Sequence, residues 1–376
     1  MAKAASAGGA TRLRGGLPEE IIVWEILVRL PIRSLLRCRS VCRAWHRATS
    51  SRDFLLAHHA HQPSLPIISG YEYRGGSYEN IHAFDHRAAD AQLLQPLARL
   101  GSCLAASCDG LLILSKAGTC FSVCNPARRQ HAPLRQLSDF SLLGMYQHRP
   151  TGEFRLLLRR TTLADPPPQD QIGCYIFALG SDHPPRYIGG LDVAAAGYLH
   201  KPALLHVRYQ SDPQQLQNDS KLVIVFDTTT ELFRWMCAPV VVRAKSYIFE
   251  MDAKLGIYSH NDATGIVDIW VLLNYEDEVW HHEHRVELPL AEIKGRFGRL
   301  ADSSFVSVVS VAGDVLLLVS NAGWMFYVDV DGELVDSFHR DGQIFYACER
   351  RLKQTLVPHN FFMALEGYAV NASPFV

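Results

Sequence analysis

Residues 17–61 read LPEEIIVWEILVRLPIRSLLRCRSVCRAWHRATSSRDFLLAHHAH. Seven arginines and no Asp, Glu or Lys fall between Arg29 and Arg52, a density that invites a nucleic-acid reading. The apolar residues point elsewhere. Pro18 suits a first helical turn, where its missing N–H costs nothing, and Glu19 and Glu20 complement the helix dipole. Ile22, Ile26 and Leu30 recur at i, i+4 and i+8 beside Val23 and Leu27, and Pro31 ends that helix. A second short segment carries Leu35 and Leu36. A third is expected to place Val41, Trp45 and Ala48 on one face and Arg39, Arg43 and Arg47 opposite. A fourth runs through DFLLAHHAH, and Pro63 and Pro66 mark a boundary. Residues 17–62 thus form a helical module too short to bury much surface alone. Its first helix holds Ile21, Ile22, Val23, Trp24, Ile26, Leu27 and Val28, more than one apolar stripe, so two neighbours are implied.

From residue 67 the texture changes to short apolar runs separated by turn signals. CDG at 108–110 precedes LLIL, NP at 125–126 follows FSVC, and PTGE, DTTTE, AGD and DVDGE each separate two apolar runs. An Asp after such a run can bond the backbone of a tight turn, and Asp109-Gly110 offers the positive φ that a two-residue hairpin needs. Helical patterns are nearly absent here. A strand–turn–strand unit recurs at IHAFD, FSVCNP, YIFALG, VIVFDTTTELF, DIWVLLNYEDEVW and FYVDVDGEL. Its spacing of about 40–58 residues is that of four-stranded propeller blades, so a mainly β, propeller-like domain of about six blades is expected over 67–376.

The 376 residues carry a net charge of −1, and 48% are hydrophobic. That is globular composition, and basic character is local. No apolar run reaches the roughly 18 residues that span a bilayer. Residues 1–16 lack the apolar stretch of a secretory signal and read as a disordered arm. Nine cysteines, an odd number without a CxxC, argue against a disulfide framework or zinc site and for a reducing compartment, cytoplasm or nucleus. Most are expected to be buried thiols. The sequons at Asn218 and Asn371 then read as chance matches.

In order, Leu17-Pro18, Leu30-Pro31, Leu35, Val41-Cys42-Arg43, Trp45 and Phe54 resemble the F-box. The resemblance implies a three-helix module that docks on the Skp-family adaptor of an SCF ubiquitin ligase and, through it, a cullin. It assigns adaptor binding to Leu17, Pro18, Ile21, Leu30, Pro31, Leu35, Val41, Cys42 and Trp45. SCDGLLIL with FSVCNPARRQ, VFDTTTELFRWM and VDIWVLLNYEDEVW resemble the kelch-like, F-box-associated domains of plant F-box proteins. Arg128 stands where the family has Thr, which puts that turn in question. This second resemblance implies a domain that binds a protein target without naming it.

The other candidate chemistry is thin. GxSxG, HExxH and P-loop signatures are absent, so no enzyme, cofactor or metal is expected. His281, His282, Glu283 and His284 read as polar residues of an exposed strand, and Asp252 and Asp262 as turn residues. Trp235, Trp270, Trp280 and Trp324 read as packing between blades. The arginines read first as a solvated face. A charge-complementary rim toward an acidic partner comes second, and nucleic-acid binding third. The expected function is therefore substrate recognition for an SCF-type ubiquitin ligase. The alternative is a carbohydrate-binding propeller with a helical cap.

Overall fold

The computed structural model describes residues 17–72, 79–85, 94–100, 103–116, 120–160, 173–189, 206–208, 222–239, 245–251, 254–298, 305–311, 313–321, 323–339 and 343–371. The expected arm at 1–16 lies outside them, as do Asp252 and Asn218. The chain divides into a helical unit, Met1–Gln62, and a β unit, Pro63–Val376.

The helical unit opens less regularly than its periodicity predicts. A short α-turn, α1 (Glu19–Ile21), runs into a π-helical stretch, Ile22–Ile26, and a 3-10 turn, Leu27–Arg29. The Leu27 N–H is shared between the carbonyls of Ile22 and Val23. Leu30 then turns extended, with ψ at 145°, as the residue before a proline must. Helix α2 (Ile32–Arg39), α3 (Arg43–Thr49) and α4 (Arg52–His61) follow. The core is Val23, Leu27, Val28, Ile32, Leu35, Phe54 and Leu55, all buried. The expected face of Val41, Trp45 and Ala48 opposite Arg39, Arg43 and Arg47 does not lie on one helix. Cys42 caps α3, its Sγ accepting from the Trp45 N–H at 3.4 Å. Val41 therefore sits in the connection and Arg39 ends α2.

The β unit is six antiparallel sheets. Sheet 1 contains β1 (Ser64–Glu72), β2 (Glu79–Phe84) and β3 (Leu94–Leu100), and sheet 2 contains β4 (Cys103–Cys108), β5 (Leu111–Lys116), β6 (Cys120–Asn125) and β7 (Gln130–Pro133). Sheet 3 is β8 (Phe140–Gln147), β9 (Phe154–Arg160), β10 (Cys174–Ala178) and β11 (Arg186–Gly189). Sheet 4 has β12 (His206–Arg208), β13 (Leu222–Phe226) and β14 (Phe233–Cys237) among the described residues. Sheet 5 is β15 (Lys245–Met251), β16 (Lys254–Asn261), β17 (Ile266–Asn274) and β18 (Val279–Glu287), and sheet 6 is β19 (Phe305–Val311), β20 (Asp314–Asn321), β21 (Trp324–Val328) and β22 (Leu334–His339). Each of the six recurring units read from sequence falls in a different sheet.

Strand alternation explains the ring. Successive side chains of a strand point to opposite faces, and here each face meets a different neighbouring sheet. On β5, Leu112 and Leu114 pack toward sheet 1 while Leu111 and Ile113 pack toward sheet 3. On β13, Ile224 and Phe226 join sheet 3 while Val223 and Val225 join sheet 5. On β20, Leu317 and Val319 join sheet 5 while Leu316 and Leu318 join sheet 1. The buried clusters link sheet 1 to 2, 2 to 3, 3 to 4, 4 to 5, 5 to 6 and 6 back to 1. Two-sided burial is why these strands read as nearly continuous apolar runs.

The C-terminal segment closes the ring. β23 (Gln343–Lys353) pairs antiparallel with β1 and completes sheet 1, and β24 (Ala369–Val370) adds to the outer edge of sheet 2 through β7. Hydroxyls from both neighbours hold β23: Ser107 Oγ donates to the Arg351 carbonyl at 2.7 Å and Ser307 Oγ to the Ala347 carbonyl at 3.3 Å. The end of β23 crosses tightly over the β4–β5 hairpin. A Cβ on Gly110 would lie 2.6 Å from the Lys353 carbonyl oxygen. Asp109 and Gly110 both have positive φ, 43° and 84°, the backbone of a type I′ hairpin.

Three further expectations need correction. Helix α5 (Leu290–Phe297) follows β18, with Ile293 buried and Phe297 against Trp324 and Phe326. Gly295 inside it and its eight-residue length concealed the pattern. The β unit begins at Ser64, not 67, because Pro66 is accommodated at a register shift between Pro66 and Ile67, where a ladder tolerates proline. The nine cysteines form no disulfide, but only Cys124 and Cys174 are buried, while Cys42, Cys103, Cys120 and Cys237 are exposed. Cys108 and Cys348 pack at the edge of the cores, and Cys38 lies in α2.

Candidate functional site

The proline break of the helical unit is built from both of its ends. The Leu30 carbonyl has no helical partner, and α4 supplies two. His58 Nε2 donates to it at 2.9 Å and Gln62 Nε2 at 3.1 Å. His58 is fully buried, with no partner for Nδ1 among the described residues. Burial lowers its pKa from the ordinary histidine value, against the Leu30 hydrogen bond, which raises it, and with Arg39, which lowers it. Facing a carbonyl, Nε2 is the nitrogen that carries the proton, and burial disfavours the charged ring. Leu30-Pro31 is fixed in place rather than a loose hinge.

Around this core the module leaves much apolar surface bare. Leu17, Ile21, Trp24, Ile26, Leu36, Val41 and Leu56 are exposed, Val41 by 67%. Of the residues assigned by resemblance, Leu17, Pro18, Ile21, Pro31, Val41 and Cys42 are exposed, and Leu30 and Trp45 are half-buried. Leu35 is fully buried, so it supports the module from within. Exposed Trp24, Ile26, Leu36 and Leu56 lie outside that assignment. The signal for the first two was present in the excess of apolar residues from Ile21 to Val28. Trp24 also packs on the buried Phe54, ring centroids 5.8 Å apart, so an exposed ring is anchored to the core.

The arginines divide. Arg29 pairs with Glu25 at 3.2 Å. Arg39 is structural: its guanidinium bonds the Thr49 hydroxyl at 3.1 Å and the Thr49 carbonyl, tying α2 to the end of α3. Arg33, Arg37, Arg43, Arg47 and Arg52 are exposed. Arg43 and Arg47 line a shallow concavity with His46, Ser50 and Ser51.

In the β unit the residues singled out by chemistry have structural roles. Trp280 Nε1 donates to the Cys237 carbonyl at 2.9 Å, and Glu278 accepts from the Cys237 N–H at 2.9 Å. Sheet 5 thereby clasps the last described strand of sheet 4. Trp324 packs between Phe297, Phe326 and His339, Trp270 is buried, and Trp235 is 40% exposed. His282 bonds Asp268 at 3.0 Å and His281 approaches Glu283 at 3.7 Å. Asp262 pairs with His260 at 3.1 Å. Among the described residues no three His, Cys, Asp or Glu side chains converge to hold a metal. Asp227 accepts from the Thr229 and Thr230 N–H groups, and Asp329 from those of Asp331 and Glu333, the turn role expected of them. The NPAR turn is intact: Asn125 accepts from the Arg128 N–H at 3.2 Å, and Arg128 reaches the Leu356 carbonyl at 2.8 Å.

One ionic cluster went unread in the sequence. Glu231 sits at positive φ, 59°, in the turn between β13 and β14. Its carboxylate accepts from Tyr146 at 2.7 Å and Arg155 at 2.6 Å, and from Arg186. Burial alone would raise its pKa. The Tyr146 and Arg155 hydrogen bonds and the Arg155 and Arg186 charges outweigh burial and lower it. Glu231 latches sheet 4 to sheet 3. It was invisible because its partners lie 85, 76 and 45 residues away.

Comparison with known proteins agrees with this anatomy. Residues 15–61 match the F-box-like family, and residues 79–333 match the F-box associated beta propeller domain. An F-box protein of Arabidopsis thaliana is 22% identical over 286 residues, 70% of this chain and 77% of that one. A putative F-box/kelch-repeat protein of the same plant is 24% identical over 300 residues, 72% and 76% of the two chains. Among solved structures, the dihydro-heme d1 dehydrogenase NirN aligns over 75% of each chain at 11% identity, but its TM-score of 0.34 carries no argument. Since the propeller match alone spans more than half the sequence, the chain belongs to the F-box proteins that carry an F-box-associated β-propeller.

Proposed function

We propose that the protein is the substrate-recognition subunit of an SCF-type ubiquitin ligase, acting without catalytic residues of its own. Residues 17–61 dock a Skp-family adaptor, and through it a cullin, while the propeller holds a protein target. The supporting observation is the apolar surface of the helical module. Seven large apolar side chains stand exposed within 45 residues, on a core that fixes Leu30-Pro31. So many large exposed apolar side chains in so short a segment suit an interaction surface. A standard interface hides about 800 Å² on each partner, and side chains of this size can supply much of it. Leu17, Pro18, Ile21, Pro31, Val41 and Cys42 would touch the adaptor, Leu30 and Trp45 border it, and Leu35 supports it from beneath. The ligase then works by proximity. Target lysines held near a charged ubiquitin-conjugating enzyme react at a raised effective concentration. Nine cysteines without a disulfide fit a reducing compartment, cytoplasm or nucleus.

Co-expression of the intact chain with a plant Skp-family adaptor tests the reading. A stoichiometric complex that survives size-exclusion chromatography is expected. Failure of the folded chain to retain any such adaptor would overturn it.

A further inference from the structure

Three of the five exposed arginines, Arg33, Arg43 and Arg52, break local helix rules, while Arg37 and Arg47 stand in the last turns of α2 and α3, where the dipole favours them. Arg43 and Arg52 are the first residues of α3 and α4, and Arg33 is the second residue of α2. The positive end of the helix dipole disfavours a cation at each of these places. Arg33 and Arg37 on α2, and Arg43 and Arg47 on α3, are like-charge i, i+4 pairs, which also destabilise. No acidic residue occupies the first turn of α2 or α3, and none of the five arginines is in an ion pair among the described residues. A local cost without an internal gain marks a surface shaped for something outside the fold.

Resting on the adaptor reading, we infer that these arginines form an acidic-segment recognition surface that steers the adaptor onto the module. Charge complementarity sets the occupant. Five exposed cations without an ion-pair partner among the described residues want carboxylates, and the concavity lined by Arg43, His46, Arg47, Ser50 and Ser51 gives side-chain carboxylates a recess. Continuity sets its identity. Exposed Leu36 precedes Arg37 on α2, and exposed Val41 lies two residues before Arg43, so apolar and basic exposed residues are interleaved along one segment. Nucleic acid would use the charge but leave those apolar side chains uncovered. Rim charges of this sort act chiefly on the rate of encounter.

The test is stopped-flow association of the full chain with a recombinant Skp-family adaptor at low and high salt. It compares wild type with R33E/R37E, R43E/R47E and R52E. Wild-type association should slow steeply with salt. R43E/R47E should associate about tenfold more slowly at low salt, lose most of that salt dependence, and dissociate at nearly the wild-type rate. R52E, which replaces a cation with an anion at a helix start, should raise the melting temperature of the helical module while slowing docking. Unchanged association rates and salt slopes in all three variants, with adaptor still bound, would refute the inference and leave the proposed function standing. Wild type that binds no adaptor would remove both. Wild type that binds a single-stranded RNA or duplex DNA oligonucleotide at physiological salt through these arginines, with adaptor association unaffected, would assign the surface to nucleic acid.

Discussion

Between residues 17 and 61 seven large apolar side chains stand in solvent, whereas the far longer described part of the propeller exposes ten. The propeller has somewhere to put its apolar faces. Each strand offers two, each meets a neighbouring sheet, and sheet 6 packs back on sheet 1. The helical module has no such closure. Its first helix carries apolar residues on both sides, and Arg33, Arg43 and Arg52 sit at helix starts without an ion-pair partner among the described residues. A closed ring buries its apolar faces in itself, while a module built this way leaves apolar side chains in solvent.

The comparison breaks most directly at the closing strand. Truncation after residue 342 removes β23 and β24, so sheets 1 and 2 lose their C-terminal strands and the ring its seam. The β unit is expected to lose its cooperative thermal transition entirely. A truncated chain that still melts sharply within a few degrees of the intact one would show that the ring does not depend on closure. In the module, Phe54→Ala removes a fully buried ring beneath Trp24 and is expected to cost about 3–5 kcal/mol. That exceeds what so small a core can spare. Calorimetry should show the module's transition vanish while the propeller's stays.

Smaller changes separate the two units by pH. Glu231 has a folded pKa below its ordinary value, so its contribution is present above that ordinary value and is lost as pH falls through the folded one. Glu231→Gln should cost about 1–3 kcal/mol near neutrality. The lower part of that range is expected, because Arg186 is 59% exposed and water screens its share. The variant should also flatten the propeller's acid limb below the ordinary glutamate range. His58 is the opposite chemical type with the same sign. Its folded pKa is lowered, so the unfolded chain takes up a proton first. The stabilising effect is full above the ordinary histidine value and falls as pH drops from there toward the folded pKa. His58→Gln keeps a donor for the Leu30 carbonyl and should remove that slope from the module's melting curve. His131 in the propeller shares the direction through burial, so the variant, not the wild-type curve, carries the test.

Much of this was legible in the sequence, for physical reasons that differ between the units. The propeller showed because two-sided burial imposes apolar runs and because Asp109-Gly110, Asp227 and Asp329 have local turn chemistry. The F-box showed through the order of Leu-Pro, Val-Cys-Arg and Trp. What stayed hidden depends on distant partners or one-residue geometry. Glu231 meets residues from another sheet, Cys42 caps a helix and so removes Val41 and Arg39 from α3, and Leu35 faces inward where its neighbour Leu36 faces out. The π-helical stretch from Ile22 to Ile26 has no signature in a 3.6-residue pattern.

The central claim is that the apolar surface of the module is a docking surface. Val41 tests it cleanly, because at 67% exposure in a connection it contributes little to the core. Isothermal titration of a Skp-family adaptor into the full chain and into Val41→Asp, with melting curves of both, is the measurement. Affinity is predicted to fall about tenfold or more, roughly 1.4 kcal/mol, with the module's melting temperature unchanged. Equal affinity of the two chains would contradict the account.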